Sequence, residues 1–347
     1  MKTLFDKTQI KNLKLKNRFV RSATWECLAN EDGHMNNQLL NVYKDLAQGG
    51  VGLIITSYAH ICAEEQPNKK MLGIYDDSFI GDYKNLVEMI HSYDSKIIMQ
   101  IVYGGSQTSF NTENRLILGP SSVSHLKTGV IPKAMSKNDI NYIVDSFAKA
   151  AYRCKLSGFD GIQIHGAHGY LLSQFLDPYN NRRTDEYGGC IENRARIIFE
   201  VYNAIREKVG TDYHISIKIN SSDFREGGAT FDDCMYIVKE LDNLGIDSIE
   251  ISGGDFRSFK GESYFKDYAS DLADLVNCPI MLVGGNRAFD SMDNILTNTN
   301  IEYFSICRPL ICEPDLISKF KTNSKYEHKC INCNQCIKKD KLCVLHK

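Results

Sequence analysis

The feature that most constrains this chain is a repeated alternation. Eight short β-branched runs recur along its 347 residues: FVRSAT (19–24), GLIITSY (52–58), KIIMQIV (96–102), GIQIHGAH (161–168), HISIKIN (214–220), SIEISGG (248–254), PIMLVGG (279–285) and IEYFSICRP (301–309). Amphipathic stretches separate them. Ile140, Ile143, Val144, Phe147 and Ala151 follow the 3.6-residue period of a helix that buries one face, as do Ile198, Val201, Tyr202, Ile205 and Val209, and another helical segment lies around Leu39. The strand runs are nearly continuous in apolar residues instead of alternating, which is the pattern of strands covered on both faces. Eight such strand–helix units in roughly 300 residues predict an α/β fold of the closed (β/α)8 TIM barrel type. An open doubly wound sheet is the rival. A dinucleotide-binding sheet of that kind places Gly-x-Gly-x-x-Gly after its first strand, and the sequence contains no such turn. The alternating stretch IKNLKLKN (10–17) predicts a small N-terminal hairpin under the barrel floor. The expected division is a barrel over 1–322 and a short Cys-rich tail over 323–347.

With 41 basic and 43 acidic residues the formal net charge is -2. No broad field therefore points to nucleic acid or an anionic membrane surface as partner, and a small-molecule substrate is the better expectation. The opening MKTLFDKTQIKNLKLKNR is too interrupted by charge for a signal peptide, and no run approaches the ~18 apolar residues of a membrane span. A cytoplasmic location is expected; the oligomeric state is left open, a homo-oligomer included.

Eight of the twelve cysteines (Cys27, Cys62, Cys154, Cys190, Cys234, Cys278, Cys307 and Cys312) are scattered through apolar or helical contexts, where a reduced thiol packs as a small hydrophobe. Cys330, Cys333, Cys336 and Cys343 instead crowd into the last 18 residues, which predicts metal ligation rather than a disulfide framework. Their C-x2-C-x2-C core is that of iron–sulfur ligation. Zinc is the competing metal, with His328 or His346 able to replace one thiolate; reduced thiols on a loose end are the third possibility.

Three constellations carry chemistry. At the end of the fourth run, His165, His168 and Tyr170 bring together two imidazoles able to donate to one substrate oxygen and a phenol able to deliver a proton to a neighbouring carbon. After the seventh and eighth runs, Gly284 and Gly285 allow backbone N–H groups close to a phosphate, and Arg308 supplies a planar charged fork. Inside apolar strands, Gln100 offers a donor and an acceptor to a planar heterocycle. Lys218 offers a cation for the anion formed when that heterocycle is reduced, or else pairs with a carboxylate such as Asp223.

Taken in order, KNRFVRSATWE, GVGLIITS, MQIVYGG, IQIHGAHGYLLSQFLDPYNNRRTDEYGGCIENRARI, ICRPLICEPDLI and CINCNQC resemble the old yellow enzyme superfamily, in particular the branch containing 2,4-dienoyl-CoA reductase and trimethylamine dehydrogenase. The resemblance implies FMN across the C-terminal mouth of the barrel. Ser22, Ala23 and Thr24 would line its edge, Tyr58 and Gln100 would contact the ring, and Lys218 would sit near N1 and O2. Ser252, Gly253, Gly284, Gly285, Cys307 and Arg308 would surround the ribityl phosphate. His165 and His168 would hold a substrate carbonyl or carboxylate oxygen, His165 also touching the cofactor, and Tyr170 would be the proton donor. Departures are Lys218 where many members have Arg, Trp25 where many ene-reductases have Cys or Thr, Cys307 in place of a common glycine, and a short Cys336-to-Cys343 spacing. Because the sequence stops at Lys347, it is expected to lack the nucleotide-binding module of the larger reductases, so that NAD(P)H docks directly over the flavin in a ping-pong cycle. The implied reaction is hydride transfer from NAD(P)H to flavin N5 and on to the β-carbon of an α,β-unsaturated carbonyl or enoate. Rival readings are a flavin amine or alcohol dehydrogenase feeding an iron–sulfur centre, a non-catalytic flavin or metal redox sensor, and an aldolase-type barrel in which Lys218 forms a Schiff base.

Overall fold

In the computed structural model, described over residues 2–254, 258–337 and 343–345, the alternation resolves into eight parallel strands that close on themselves. They are β1 (Phe19–Arg21), β2 (Leu53–His60), β3 (Lys96–Val102), β4 (Gly161–Gly166), β5 (His214–Asn220), β6 (Ser248–Ser252), β7 (Ile280–Val283) and β8 (Tyr303–Ile306). Each pairs with its chain neighbours, and β1 pairs with both β8 and β2 to complete the ring. The helices that cover them are α1 (Asn37–Gln48), α2 (Phe79–His91), α3 (Lys137–Leu156), α4 (Arg196–Val209), α5 (Phe231–Leu244), α6 (Lys266–Leu275), α7 (Phe289–Asn298) and α8 (Leu316–Thr322). The expected barrel is the observed fold.

Local chemistry sets the helix starts. Ser136 and Thr230 each accept a backbone N–H three residues on, while Asp139 and Asp233 reach back to the cap, so α3 and α5 both open on a capping box. The face of α3 that turns inward carries Ile140, Ile143, Phe147, Ala150, Ala151 and Cys154, and that of α4 carries Ile198, Val201, Tyr202, Ile205 and Val209. These faces pack against outward-pointing strand residues such as Ile162 and Ile164, which makes one continuous annular core.

A second apolar cluster fills the base of the barrel. Thr8–Ile10 and Leu13–Leu15 pair antiparallel, and Ile10, Leu13 and Leu15 pack under Val20, Leu53, Ile55, Ile98, Met281 and Tyr303. Burying three such side chains contributes on the order of 5–9 kcal/mol as an upper value, enough to hold the expected hairpin against the floor.

Because side chains alternate along a strand, the residues facing inward near the mouth meet across rungs. Tyr58 stands opposite Gln100, Gln100 opposite Gln163, His165 opposite Lys218, and Lys218 opposite Glu250. The strands end earlier than the apolar runs suggest: β1 stops at Arg21, β6 at Ser252, β7 at Val283 and β8 at Ile306. The remainders of those runs leave the sheet and build the rim. Gly284 and Gly285 do so at φ values of 109° and 80°, a region other residues enter only at a cost. Among the described residues, no helix is long and apolar enough to cross a membrane.

Candidate active site

The rim holds one elongated cavity with two adjoining lobes. Ser22, Ser252, Gly284, Gly285 and Arg308 line the first lobe. Thr24, Tyr58, Gln100, His165 and Tyr170 line the second. Ala23, His168, Lys218 and Cys307 face both, so the lobes share a wall. Gly253 is the predicted residue that faces elsewhere: a Cβ there would stand 2.5 Å from the Phe265 ring and 2.6 Å from that of Phe224, so packing between rings accounts for this glycine.

The first lobe is built for an anion. A Cβ on Gly284 or Gly285 would come within 2.6–2.7 Å of the Tyr264 ring, so the two turns lie flush against it with their backbone bare toward the cavity. Arg308, at the start of the short helix Arg308–Cys312, donates through Nη2 to the Tyr264 hydroxyl at 3.2 Å and through Nη1 to the side-chain oxygens of Asn332 and Asn334. Asn286 fixes the loop from behind by donating to the carbonyls of Leu282 and Ser305, at 2.7 and 3.1 Å.

Beneath the junction of the lobes runs a buried polar relay. Lys218 Nζ donates to Ser22 Oγ at 2.8 Å and lies 3.1 Å from Glu250 Oε2; Ser22 Oγ donates to Glu250 Oε1 at 2.9 Å. Gln163 donates to Glu250 Oε2 at 2.9 Å, and Gln100 donates to Gln163 Oε1 at 2.7 Å. The carboxylate partner of Lys218 is thus Glu250 and not Asp223, which instead accepts from Asn220 at 3.0 Å. A polar residue in a buried strand needs a partner, and here four of them, with Ser22 just past the end of β1, satisfy one another.

In the second lobe the rings of His165 and Tyr170 lie 4.9 Å apart, and those of His165 and His168 lie 5.4 Å apart edge to face. Burial, reinforced by the neighbouring His168 and Lys218, holds the His165 pKa well below that of an ordinary imidazole. It is therefore a neutral ring, and among the described residues its Nδ1 has no hydrogen-bond partner. His168 sits at φ 61°, with its amide donating to Asn220 Oδ1 at 3.3 Å and its Nε2 2.8 Å from Ser252 Oγ. Asn68 donates to the hydroxyls of both Tyr58 and Tyr170, at 3.2 and 3.3 Å, and so ties the two phenols together. Burial, then the Tyr170 hydroxyl, raises the Tyr58 pKa well above the usual phenol value. Trp25 stacks on Tyr58 with centroids 6.5 Å apart and narrows this lobe.

The tail departs from expectation. Cys330, Cys333, Cys336 and Cys343 line one small cavity beside Arg308, yet among the described residues no three His, Cys, Asp or Glu side chains stand together as a ligand set. Iron–sulfur or zinc ligation is therefore not preformed, and His346 lies outside the described residues. A fifth thiol belongs to this neighbourhood: burial and the adjacent Cys343 push the pKa of Cys312 up to about 12. The loop is oriented by Arg308, and by Glu313, which accepts from the Tyr326 hydroxyl at 2.6 Å.

Sequence reasoning passed over Gln163 and Glu250, although both lie in the strand runs it identified; the criterion that picked out Gln100 and Lys218, a polar residue inside an apolar strand, applies to them equally. Asn286 follows the glycine pair directly. Asn68, Tyr264 and Asn332 lie in irregular segments and carry no periodic signal.

A profile described as the NADH:flavin oxidoreductase / NADH oxidase family matches residues 3–327. An NADH oxidase of Thermoanaerobacter brockii is 36% identical over 342 residues, covering 95% of this chain and 52% of its own length. An NADPH dehydrogenase of Bacillus cytotoxicus is 33% identical over 319 residues, covering 90% of each chain. A metal reductase of Desulforamulus reducens is 29% identical over 345 residues, covering 96% of this chain and 51% of its own. The chain thus spans about half the length of the first and third of these relatives. Among solved structures, a 2-naphthoyl-CoA reductase complex superposes with a TM-score of 0.90 at 24% identity, covering 96% of this chain and 54% of that one. An old yellow enzyme homologue from Zymomonas mobilis gives 0.83 at 22% identity, covering 95% of each; both likenesses speak to the fold. With the match running almost end to end, this chain belongs to the NADH:flavin oxidoreductase / NADH oxidase family.

Proposed function

We propose that the chain is an FMN-dependent NAD(P)H oxidoreductase that reduces the activated C=C bond of an α,β-unsaturated carbonyl or enoate. The observation that carries this reading is the second lobe, where a neutral, buried His165 with an unpartnered Nδ1, together with His168, stands beside the phenol of Tyr170. The residues fit the cofactor: bare glycine turns and Arg308 suit its phosphate, while Gln100 and Lys218 suit a heterocycle with hydrogen-bonding edges. FMN, when bound, supplies hydride relay between the nicotinamide and the alkene.

The chain's own residues do the rest. His165 and His168 donate to the substrate's carbonyl or carboxylate oxygen, where negative charge grows as the β-carbon accepts hydride. Donors already oriented there stabilise that charge without reorganisation, and losing one costs on the order of a hundredfold in rate. Tyr170 then gives its hydroxyl proton to the α-carbon. Asn68, donating to the Tyr170 oxygen, aims the phenol and stabilises the phenolate left when its proton has gone. One cavity serving both nicotinamide and alkene supports alternate occupancy and a ping-pong cycle. The division into a barrel over 1–322 and a tail over 323–347 belongs to this proposal, as does the placement near the dienoyl-CoA reductase branch. The tail is read separately: its cysteines share a cavity, and among the described residues they form no ligand set.

The test is an anaerobic spectrum of the purified protein after reconstitution with FMN. Flavin bands that bleach with NADH or NADPH and return on adding one equivalent of 2-cyclohexenone support the proposal. Flavin reduced by an amine and by neither nicotinamide favours the dehydrogenase reading; bound flavin that turns over with no donor favours a sensor. Iron and zinc analysis on the same sample decides what the tail holds.

A further inference from the structure

Glu250 lies on β6, is 0% exposed, and stands behind the cavity wall formed by Ser22 and Lys218. Building on the FMN reading above, we propose that Glu250 is a positioning residue that sets the reduction potential of the bound flavin, cancelling the charge of Lys218 and fixing which polar atoms the wall presents to the ring.

The polarity argument starts from the carboxylate, which can only accept hydrogen bonds. Gln163 must turn its NH2 toward Glu250 Oε2, which turns its carbonyl oxygen toward Gln100. Gln100 must then turn its own NH2 toward Gln163, which leaves its carbonyl oxygen as the acceptor offered on the cavity side. On the other branch, Lys218 spends two of its three protons on Ser22 and Glu250, and the third is the donor for a ligand. One buried anion thereby makes the wall read acceptor at Gln100 and donor at Lys218. That pattern complements a ring edge on which an N–H stands beside a carbonyl.

The charge argument is independent of orientation. An unbalanced lysine beside the ring would favour the reduced, anionic heterocycle and raise its potential. With Glu250 at 3.1 Å, both groups nearly fully buried, the pair presents little net charge. The bound flavin then stays a strong reductant, which hydride donation to an alkene requires.

The experiment measures the flavin potential against reference dyes at pH 6.5. Glu250→Gln keeps the shape and removes the charge, and is expected to shift the equilibrium about tenfold toward reduced flavin, about 30 mV for a two-electron couple. Sulfite should bind about tenfold more tightly to the oxidised flavin of this variant. Glu250→Asp, which keeps the charge, should remain within about threefold of wild type on both readouts. If Glu250→Gln alone does not retain FMN, the comparison passes to Lys218→Met and the double variant Lys218→Met/Glu250→Gln, where adding the second change should produce the same tenfold shift. Full FMN occupancy with potentials within twofold across either pair overturns this inference and leaves the functional proposal intact. A wild-type protein that takes up no FMN overturns the functional proposal, and this inference with it.

Discussion

Replacing Gly285 with alanine tests the architecture of the anion lobe with numbers taken from its geometry. The residue sits at φ 80°, and an added Cβ would lie 2.7 Å from Cδ1 and Cε1 of Tyr264 and 2.9 Å from the backbone nitrogen of Ser263. The left-handed conformation alone costs an L-residue about 1–2 kcal/mol. Forcing a methyl into packed surroundings adds about 1–3 kcal/mol, for a total of about 2–5 kcal/mol. Gly129 is the internal control: it has φ 73° but nothing within 4 Å of the added Cβ, so Gly129→Ala should cost only the conformational part. The clash has a second consequence. Tyr264 must move, and its hydroxyl is the partner of Arg308 Nη2, so the charged fork loses its aim. Urea unfolding of the FMN-free protein should show the larger loss for Gly285→Ala, and flavin fluorescence titration should show an FMN Kd raised more than tenfold for that variant and unchanged for Gly129→Ala. If the two variants match in both stability and affinity, the close approach at Gly285 has no bearing on phosphate binding.

Tyr170→Phe should slow reoxidation of the reduced enzyme by 2-cyclohexenone by about 10²–10⁴-fold while leaving flavin reduction by NAD(P)H within threefold, as measured in separate anaerobic half-reactions; equal slowing of both would remove the proton-donor role. Since burial keeps His165 neutral, the rate of alkene reduction should show no inflection from this group between pH 5.5 and 8, and an inflection abolished by His165→Ala would contradict the assignment. Burial raises the pKa of Glu65 from 4.5 to about 7 against the pull of Arg115 and the Gly104 N–H. The folded state therefore holds that proton more tightly than the unfolded chain. The resulting stability is fully present below pH 4.5 and is lost as pH rises through about 7. Thermal midpoints should fall between pH 5 and 8, and Glu65→Gln should make that fall shallower; an equally steep fall in the variant would assign it to other groups.

Much of the barrel is legible in the sequence because each strand is sandwiched between the inner packing and a helix, and so leaves a dense apolar run with little ambiguity. The same density hides where a strand stops, since Gly253–Gly254 and Gly284–Gly285 read as the ends of strand runs yet already belong to the rim. His165, His168 and Tyr170 are legible as a group because a six-residue stretch delivers all three to one lobe. Glu250 carries the same signal as Lys218, a polar residue inside an apolar run, but its pairing with Lys218 is fixed across neighbouring strands, and lateral neighbours are invisible until the order of strands around the ring is known. Asn68 and Tyr264 escape for a related reason: irregular connections bring them over the mouth, and no periodicity marks such segments. For the tail cysteines the sequence offers spacing alone, and among the described residues the thiols line one cavity without forming a ligand set.

The apolar plug of Ile10, Leu13 and Leu15 under the strands has a kinetic corollary. With the base stoppered, traffic to the reacting atoms runs through the loop-lined doorway at the opposite end. A dead-end compound lodged in that doorway would obstruct electron donor and electron acceptor alike, and steady-state inhibition should follow a competitive pattern toward each of them when the other is saturating.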